Sequence, residues 1–461
     1  MGALGAFHFF WFSFLILILL LILTEEGREI KIRIRSKIKR GTQKSEMPPG
    51  ALLGALPACF AARRCYLWAA FMNYKISNRA AALTPSITLA VDAKAKQMKA
   101  EGVDVVGFGA GEPDFATPAH IVAAAIKALN DGFTKYTPSS GIAELRQAAA
   151  AKFQRDNGLT YKPSQIIISC GGKHSCYNII MALCNPGDEV IIPAPYWLSY
   201  PEMVRLAEGT PVIIPSSDET EFKITPKQLR DAITPRTRLF ILNSPSNPTG
   251  SLYTREEIKE LGDVCVENDV LILSDEIYEK LVYDGAEHVS VAGFSPRHYE
   301  HTIIAHGLAK AYSMTGWRIG ITAAPEPIAK AIDAIQSHST SNPTSFAQKG
   351  AVAALNGPQD HLPVWLAEFA RRRAFAWKKL NSIPRLACVN AKGAFYLFPN
   401  ISGLGLKSID FCAKLLEQEK VAVVPGIAFG ADDYVRISYA TSMENLEKGL
   451  DRIEKFARSL V

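Results

Sequence analysis

The sequence predicts an α/β fold built on a mainly parallel sheet covered on both faces by helices. Three observations lead there. Short apolar, mostly β-branched runs recur from residue 166 onward, and stretches with helical spacing of apolar residues separate them. Cysteine spacing offers no disulfide or zinc framework, so a hydrophobic core must hold the chain together. At 461 residues the chain is long enough for roughly two to four domains, or for one large α/β enzyme with a satellite domain.

The elements follow in order. Ile121, Val122, Ala125, Ile126 and Leu129 lie at helical spacing, with Gly132 placed to end that helix. A second helix is expected from Ile142 to about Asp156, closed by Gly158. IIIS (166–169) reads as a strand, and a helix from about His174 to Leu183 follows it. VIIP at 190–193 and again at 212–215, LFIL (239–242), LILS (271–274) and TIIA (302–305) read as further strands. Between them, Thr225-Pro226 supplies a capping residue followed by proline at the first helical position. Thr254 and Glu257 form a capping box before another helix.

The formal charge of +6 is confined to one end. Residues 1–71 carry ten basic and four acidic side chains, which leaves the rest of the chain neutral. A neutral body lacks the basic footprint that nucleic acid requires. The eight cysteines (59, 65, 170, 176, 184, 265, 388 and 412) form no C-x-x-C pair, which fits reduced thiols in the cytoplasm.

The first 71 residues stand apart. Phe7 to Leu23 is an apolar run just long enough to span a bilayer, and Arg28 to Arg40 adds seven Lys/Arg. As an inserted segment it would keep the basic flank, and the enzyme behind it, on the cytoplasmic side. The alternative is a removable leader or an over-extended start, because MNYKISNRAAALTPS from Met72 reads like the natural beginning of a compact enzyme. Membrane contact is expected only under the first reading.

Three segments carry chemistry, each just after an expected strand, where ligands bind in open α/β sheets. Lys310 lies in HGLAKAYSMTGWRIG, eight residues before Arg318. A lysine that forms an imine needs partial desolvation to lose its proton near neutral pH, and an arginine nearby suits a phosphate. NSPSNPTG (243–250) reads by itself as a turn. In SDEIY (274–278), Asp275 would be a buried carboxylate in need of a cation, either a protonated pyridine nitrogen or a structural ion-pair partner. Two other motifs are declined. GFGAG (107–111) lacks the third glycine at a helix start, and GGKH (171–174) lacks the first glycine and the Ser/Thr of a P-loop.

Taken together, these segments resemble the fold-type-I aminotransferases, in particular the bacterial-type class I subgroup that contains aspartate aminotransferases. The resemblance runs from about Asn78 to the carboxyl end. It rests on GAGEPDF (109–115), KYTPSSG (135–141), GGK (171–173), PAPYWLSYPEM (193–203), NSPSNPTG, SDEIYE, the lysine segment, GAFY (393–396) and VRISYA (435–440). It implies pyridoxal 5'-phosphate as cofactor and a seven-stranded, mainly parallel sheet between helices. The implied organisation is an arm and part of a small domain at 72–117, a large cofactor-binding domain at 118–361, and the rest of the small domain at 362–461.

The resemblance also implies roles. Lys310 would bind the cofactor as a Schiff base and move the proton at the substrate Cα. Asp275 would keep the pyridine nitrogen protonated. Asn247 and Tyr278 would hydrogen-bond the phenolic oxygen, and Trp197 would stack on the ring. Gly171, Gly172 and Lys173, at a helix start, together with Arg318, would meet the phosphate. Tyr136 would reach the phosphate of a neighbouring subunit, implying a homodimer with shared sites. Arg436 and Gly111 would receive the substrate α-carboxylate, with Trp197 and Asn247 beside it, and Lys173 would receive a distal carboxylate. Ala309 stands where relatives often carry a serine, and His174 and His306 also occupy variable positions.

The activity this implies is ping-pong transfer of an amino group from aspartate or glutamate to a 2-oxo acid, with prephenate as a further acceptor and no metal. An aromatic or alanine aminotransferase is the nearest rival reading. A non-catalytic aminotransferase-like binding domain is the more distant one.

Overall fold

The computed structural model describes residues 75–83 and 87–460, with the side chains of 87–90 and 92 left aside. The chain divides into two units, Met1–Lys75 and Ile76–Val461, and every described helix and strand lies in the second. The apolar run at 7–23, the basic stretch at 28–40, Met72, Cys59 and Cys65 lie outside the described residues. No helix among the described residues is long and apolar enough to cross a membrane.

Seven strands form the central sheet: β1 (Ile166–Ser169), β2 (Glu189–Ala194), β3 (Thr210–Pro215), β4 (Thr237–Asn243), β5 (Leu271–Asp275), β6 (Thr302–Gly307) and β7 (Gly320–Ala323). Their order is β1-β7-β6-β5-β4-β2-β3. Neighbouring strands from β6 across to β3 are parallel, whereas β7 runs antiparallel to both β6 and β1. The six runs read from sequence are all strands, each longer by a residue or more at one or both ends except β1.

β7 was not among the expected strands, and its direction has a physical cause. Only residues 308–319 separate it from β6, and they contain a single 3-10 turn. A parallel return usually runs through a crossover helix, and these twelve residues form none beyond that turn, so the chain comes back antiparallel. The link carries both Lys310 and Arg318.

β-branched residues suit the central strands because both faces are covered. Ile167, Val190, Ile192, Leu239, Ile241, Leu273 and Ile303 pack against the helices Gly172–Leu183 and Ser199–Leu206. Ile191, Phe240, Leu242 and Ile272 pack on the other face against Arg255–Glu267. The expected caps form. Thr225 and Thr254 each accept from the backbone of the third helical residue, with Gln228 and Glu257 reaching back. Gly158 ends the helix Ala143–Asn157 in a left-handed conformation. The helix expected from His174 begins two residues earlier, at Gly172.

Residues near the two ends of the described chain build two smaller sheets. Val106–Gly107 pairs in parallel with Val421–Ala422, and Val435–Ser438 lies between Val424–Pro425 and Tyr396–Leu397. Their core joins Phe108, Phe369, Phe395, Tyr439, Leu446 and Phe456, and it extends to Tyr278 and Leu281 just beyond β5. All six described cysteines are free thiols.

Candidate active site

The carboxyl ends of β1, β2, β4, β5 and β6 open onto one cavity of about 510 Å³. Its lining includes Gly109–Glu112, Gly172, Lys173, Trp197, Tyr200, Asn243, Asn247, Asp275, Tyr278, Lys310, Arg318, Tyr396 and Arg436. Of the residues singled out from sequence, Gly111, Gly172, Lys173, Trp197, Asn247, Asp275, Tyr278, Lys310, Arg318 and Arg436 therefore converge here. Gly171 lies against Arg318 just behind the wall. Tyr136 does not line the cavity; it is 91% exposed on the single chain.

Lys310 sits three residues beyond β6, half-buried, with its amine donating to the carbonyl of Gly111. Burial pulls its ammonium down to about 8, and the charge of Arg436 adds to the effect, while Glu112 and Asp275 oppose it. A substantial neutral fraction near physiological pH follows, as a nucleophilic lysine requires.

Asp275 ends β5 and is buried. Burial pushes its carboxyl up, against hydrogen bonds from Tyr200, the Ile277 amide and Cys176. No lysine or arginine among the described residues pairs with it, so the structural ion pair considered from sequence does not form. Tyr278 lies 2.9 Å from the Tyr396 hydroxyl, oxygen to oxygen, and both rings are buried. Asn243 ties the turn together: its side chain donates to the Asp275 carbonyl (3.1 Å) and accepts from the Asn247 amide (2.9 Å).

Arg436 lies in the strand Val435–Ser438 and is 5% exposed. Its guanidinium donates to Asn247 Oδ1 (3.0 Å) and to the Gly109 carbonyl (2.8 Å), over the rings of Tyr396 and Phe429. Its Nε has no partner. Among the described residues no carboxylate pairs with it, although a buried guanidinium is stable only when its charge is answered. This fork is ready for an external carboxylate.

The amino end of the helix Gly172–Leu183 faces the cavity, and its first amides find no partner within the helix. Gly171 adopts φ +95°, and a Cβ there would collide with the Arg318 guanidinium, so only glycine lets the arginine close on this end. Arg318 is itself left-handed at φ +57° and donates to the Thr315 carbonyl (2.7 Å). Lys173 reaches over the Trp197 ring, 5.0 Å from its centroid. Partial desolvation, then the charge of Arg318, lowers its ammonium.

These features fit pyridoxal phosphate on the structure's own terms. There is a buried carboxylate awaiting a cation, an anion-binding helix end with an arginine, and a lysine amine between them.

Sequence reasoning missed Tyr200, Tyr396 and the Glu112–Thr315 hydrogen bond (2.7 Å) at the cavity wall, and Cys176 behind it against Asp275. Tyr200 and Tyr396 stand inside quoted motifs, but only packing shows which way their hydroxyls point.

Behind the SDEIYE segment lies a buried polar network. Lys152 Nζ is 2.5 Å from Glu279 Oε1, and His306 Nε2 is 3.1 Å from the same oxygen. Asn157 bridges, accepting from Lys152 (2.9 Å) and donating to Glu279 Oε2 (3.0 Å). Burial pushes the Glu279 carboxyl up, but Lys152 and His306 outweigh it and hold it well below the usual range. Beside it, Glu276 accepts from Ser274 and Ser290 and lies 3.3 Å from His288.

Comparison with known proteins accords with this geometry. The aminotransferase class I and II family matches residues 103–453. An aspartate aminotransferase of Bacillus subtilis is 54% identical over 387 residues, covering 83% of this chain and 98% of the relative. An aspartate/prephenate aminotransferase of Nitrosomonas europaea is 49% identical over 391 residues, covering 82% and 98%. The solved structure of the Thermus thermophilus aspartate aminotransferase with maleate superposes with a TM-score of 0.79 at 44% identity, covering 83% of this chain and 99% of that one. Sheet, cavity and relatives agree: the chain belongs to the pyridoxal-phosphate-dependent class I aminotransferases, in the branch of bacterial aspartate type.

Proposed function

We propose that this chain transfers the amino group of aspartate or glutamate to a 2-oxo acid by a ping-pong cycle with pyridoxal phosphate. The observation that carries the reading is the cavity itself. It sets a lysine amine drawn down to about 8 between a buried carboxylate and a buried guanidinium that, among the described residues, find no cation and no carboxylate to pair with.

When bound, the cofactor supplies an electron sink conjugated to the substrate Cα. The chain's own residues do the rest. Lys310 holds the cofactor and, once released, takes and returns the proton at Cα, because its lowered pKa suits both steps. Asp275 keeps a proton on the pyridine nitrogen, and Asn247 and Tyr278 hydrogen-bond the phenolic oxygen. Trp197 stacks on the ring. Gly171, Gly172 and Arg318 receive the phosphate.

Arg436 orients the substrate through its α-carboxylate, with Gly111 allowing close approach of the backbone. Lys173 answers the distal carboxylate from the cavity wall, which fits a relative solved with a dicarboxylate, maleate. The wall is built from segments 109–112, 396 and 436 on one side and 172–318 on the other. The division at 117/118 and 361/362 into large and small domains belongs to the same reading. So does a homodimer: Tyr136, exposed on one chain, would reach the phosphate of a second. Prephenate as an acceptor is a second reading, favoured by the Nitrosomonas relative's name.

An absorbance spectrum of the purified protein tests the proposal. A visible band from lysine-bound cofactor should convert to the amino form of the cofactor on adding aspartate. A protein that shows the band but responds only to phenylalanine or alanine would overturn the acidic substrate. Lys173→Ala should weaken aspartate by roughly 10-fold or more in kcat/KM, the scale of one charge-assisted contact, while alanine is little affected.

A further inference from the structure

We infer that Tyr200 and Cys176 are positioning residues for the cofactor: together they occupy one oxygen of Asp275 and so aim the other at the pyridine nitrogen. The inference rests on the functional reading above and goes beyond it, since neither residue needs to touch cofactor or substrate.

Asp275 Oδ2 accepts the Tyr200 hydroxyl at 2.6 Å and lies 3.7 Å from the Cys176 thiol. Oδ1 accepts only the Ile277 amide, at 3.2 Å, and keeps a lone pair free. The carboxylate therefore has one satisfied oxygen and one half-satisfied oxygen, a geometry that fixes its rotation. Tyr200 and Cys176 are each 1% exposed, so no water can replace either donor cheaply. Burial, then the charge of Asp275, raises both their pKa values well above the ordinary, so both remain protonated donors.

The two donors come from elements that shape the rest of the site. Cys176 lies one turn into the helix Gly172–Leu183, whose amino end faces the expected phosphate. Tyr200 lies in the first turn of the helix Ser199–Leu206 and meets Trp197 edge-on, 5.2 Å between ring centroids. Ring, phosphate and pyridine-nitrogen contacts are thus held in register by one pair of hydrogen bonds.

Charge follows from position. The groups that act on Asp275 are Tyr200, Cys176, the Ile277 amide and Glu276, with Lys310 across the cavity. Removing a donor from Oδ2 makes Asp275 more basic and draws the shared proton from the pyridine nitrogen onto the carboxylate. A ring that has lost its positive charge no longer repels a proton from the lysine-bound nitrogen.

The test is a pH titration of the visible band in the full-length holoenzyme, with the pyridoxal phosphate dissociation constant measured in parallel. Wild type is compared with Tyr200→Phe, Cys176→Ala and Cys176→Ser. In Tyr200→Phe the midpoint should move to higher pH and the dissociation constant should rise on the order of 10-fold, the scale of one hydrogen bond to a charged group. kcat should fall, with little change in the KM for aspartate. Cys176→Ala should shift the midpoint the same way by less, and Cys176→Ser, which restores a donor, should return it toward wild type.

A Tyr200→Phe enzyme that binds cofactor and titrates like wild type overturns the inference. If Tyr200→Phe fails to fold, the Cys176 pair decides: equal midpoints for alanine and serine overturn it. A wild-type protein without a visible band would instead overturn the functional reading beneath it.

Discussion

Replacing Lys310 with alanine should lower turnover of aspartate by roughly 10⁴-fold, the upper end of what a proton-transfer group contributes. The loss is large because, on the proposed function, one amine serves two roles, covalent attachment and proton movement at Cα. The amine has no substitute at hand. The Arg436 guanidinium is already engaged with Asn247 Oδ1 and the Gly109 carbonyl, and the Tyr278 hydroxyl is buried with its pKa pushed up. Lys310→Arg should rescue nothing, since a guanidinium neither forms the imine nor gives up its proton near pH 8. Steady-state rates with a visible spectrum check both statements. An alanine variant that kept more than about a hundredth of wild-type turnover would be inconsistent with any proton-transfer role for Lys310.

The largest effect on stability should come from Lys152→Met. Lys152 and Glu279 are a buried pair, 2% and 3% exposed at their side chains, and His306 shares the same carboxylate. Removing the ammonium leaves Glu279 charged in a poorly solvated site, which costs about 3–5 kcal/mol. The double variant Lys152→Met/Glu279→Gln should recover part of that loss, because the uncompensated charge goes with it. Denaturation of apoenzyme and holoenzyme separates this from cofactor loss. A single variant as stable as wild type would mean that His306 takes a proton and replaces the ammonium. Because Glu279 follows Asp275 and Tyr278 by four residues and one, the single variant should also retain cofactor less well.

Much of the fold was legible because its signals are local. β-Branched runs in β1 to β6 alternate with helices whose caps, Thr225 and Thr254, are written in adjacent residues. β7 was not legible: GITA is four residues of ordinary composition, and its direction depends on the link before it forming no crossover helix. The same holds at the site. Lys310, Asp275, Asn247, Tyr278 and Arg436 could be picked out because they stand in the ordered motifs that carry the family resemblance. The hydroxyl of Tyr200, the thiol of Cys176 and the ring of Tyr396 acquire meaning only where separate elements bring them to Asp275, Tyr278 and Arg436.

Lys152 marks the limit most clearly. In the sequence AAAAKFQRDN it reads as one more charge on a helix, and in the structure it is among the most buried side chains of the protein. The sequence by itself determined the layered α/β architecture, the neutral body and, through the resemblance its ordered motifs carry, the lysine proposed to react, because periodicity, composition and motif order are properties of neighbouring residues. Tertiary structure alone decided which charges are answered from within: among the described residues Glu279 is paired by Lys152, whereas Asp275 and Arg436 find no oppositely charged partner. Burial turns that difference into function, since a charge removed from water and left unpaired by its own chain is stabilised only by the ligand that completes it.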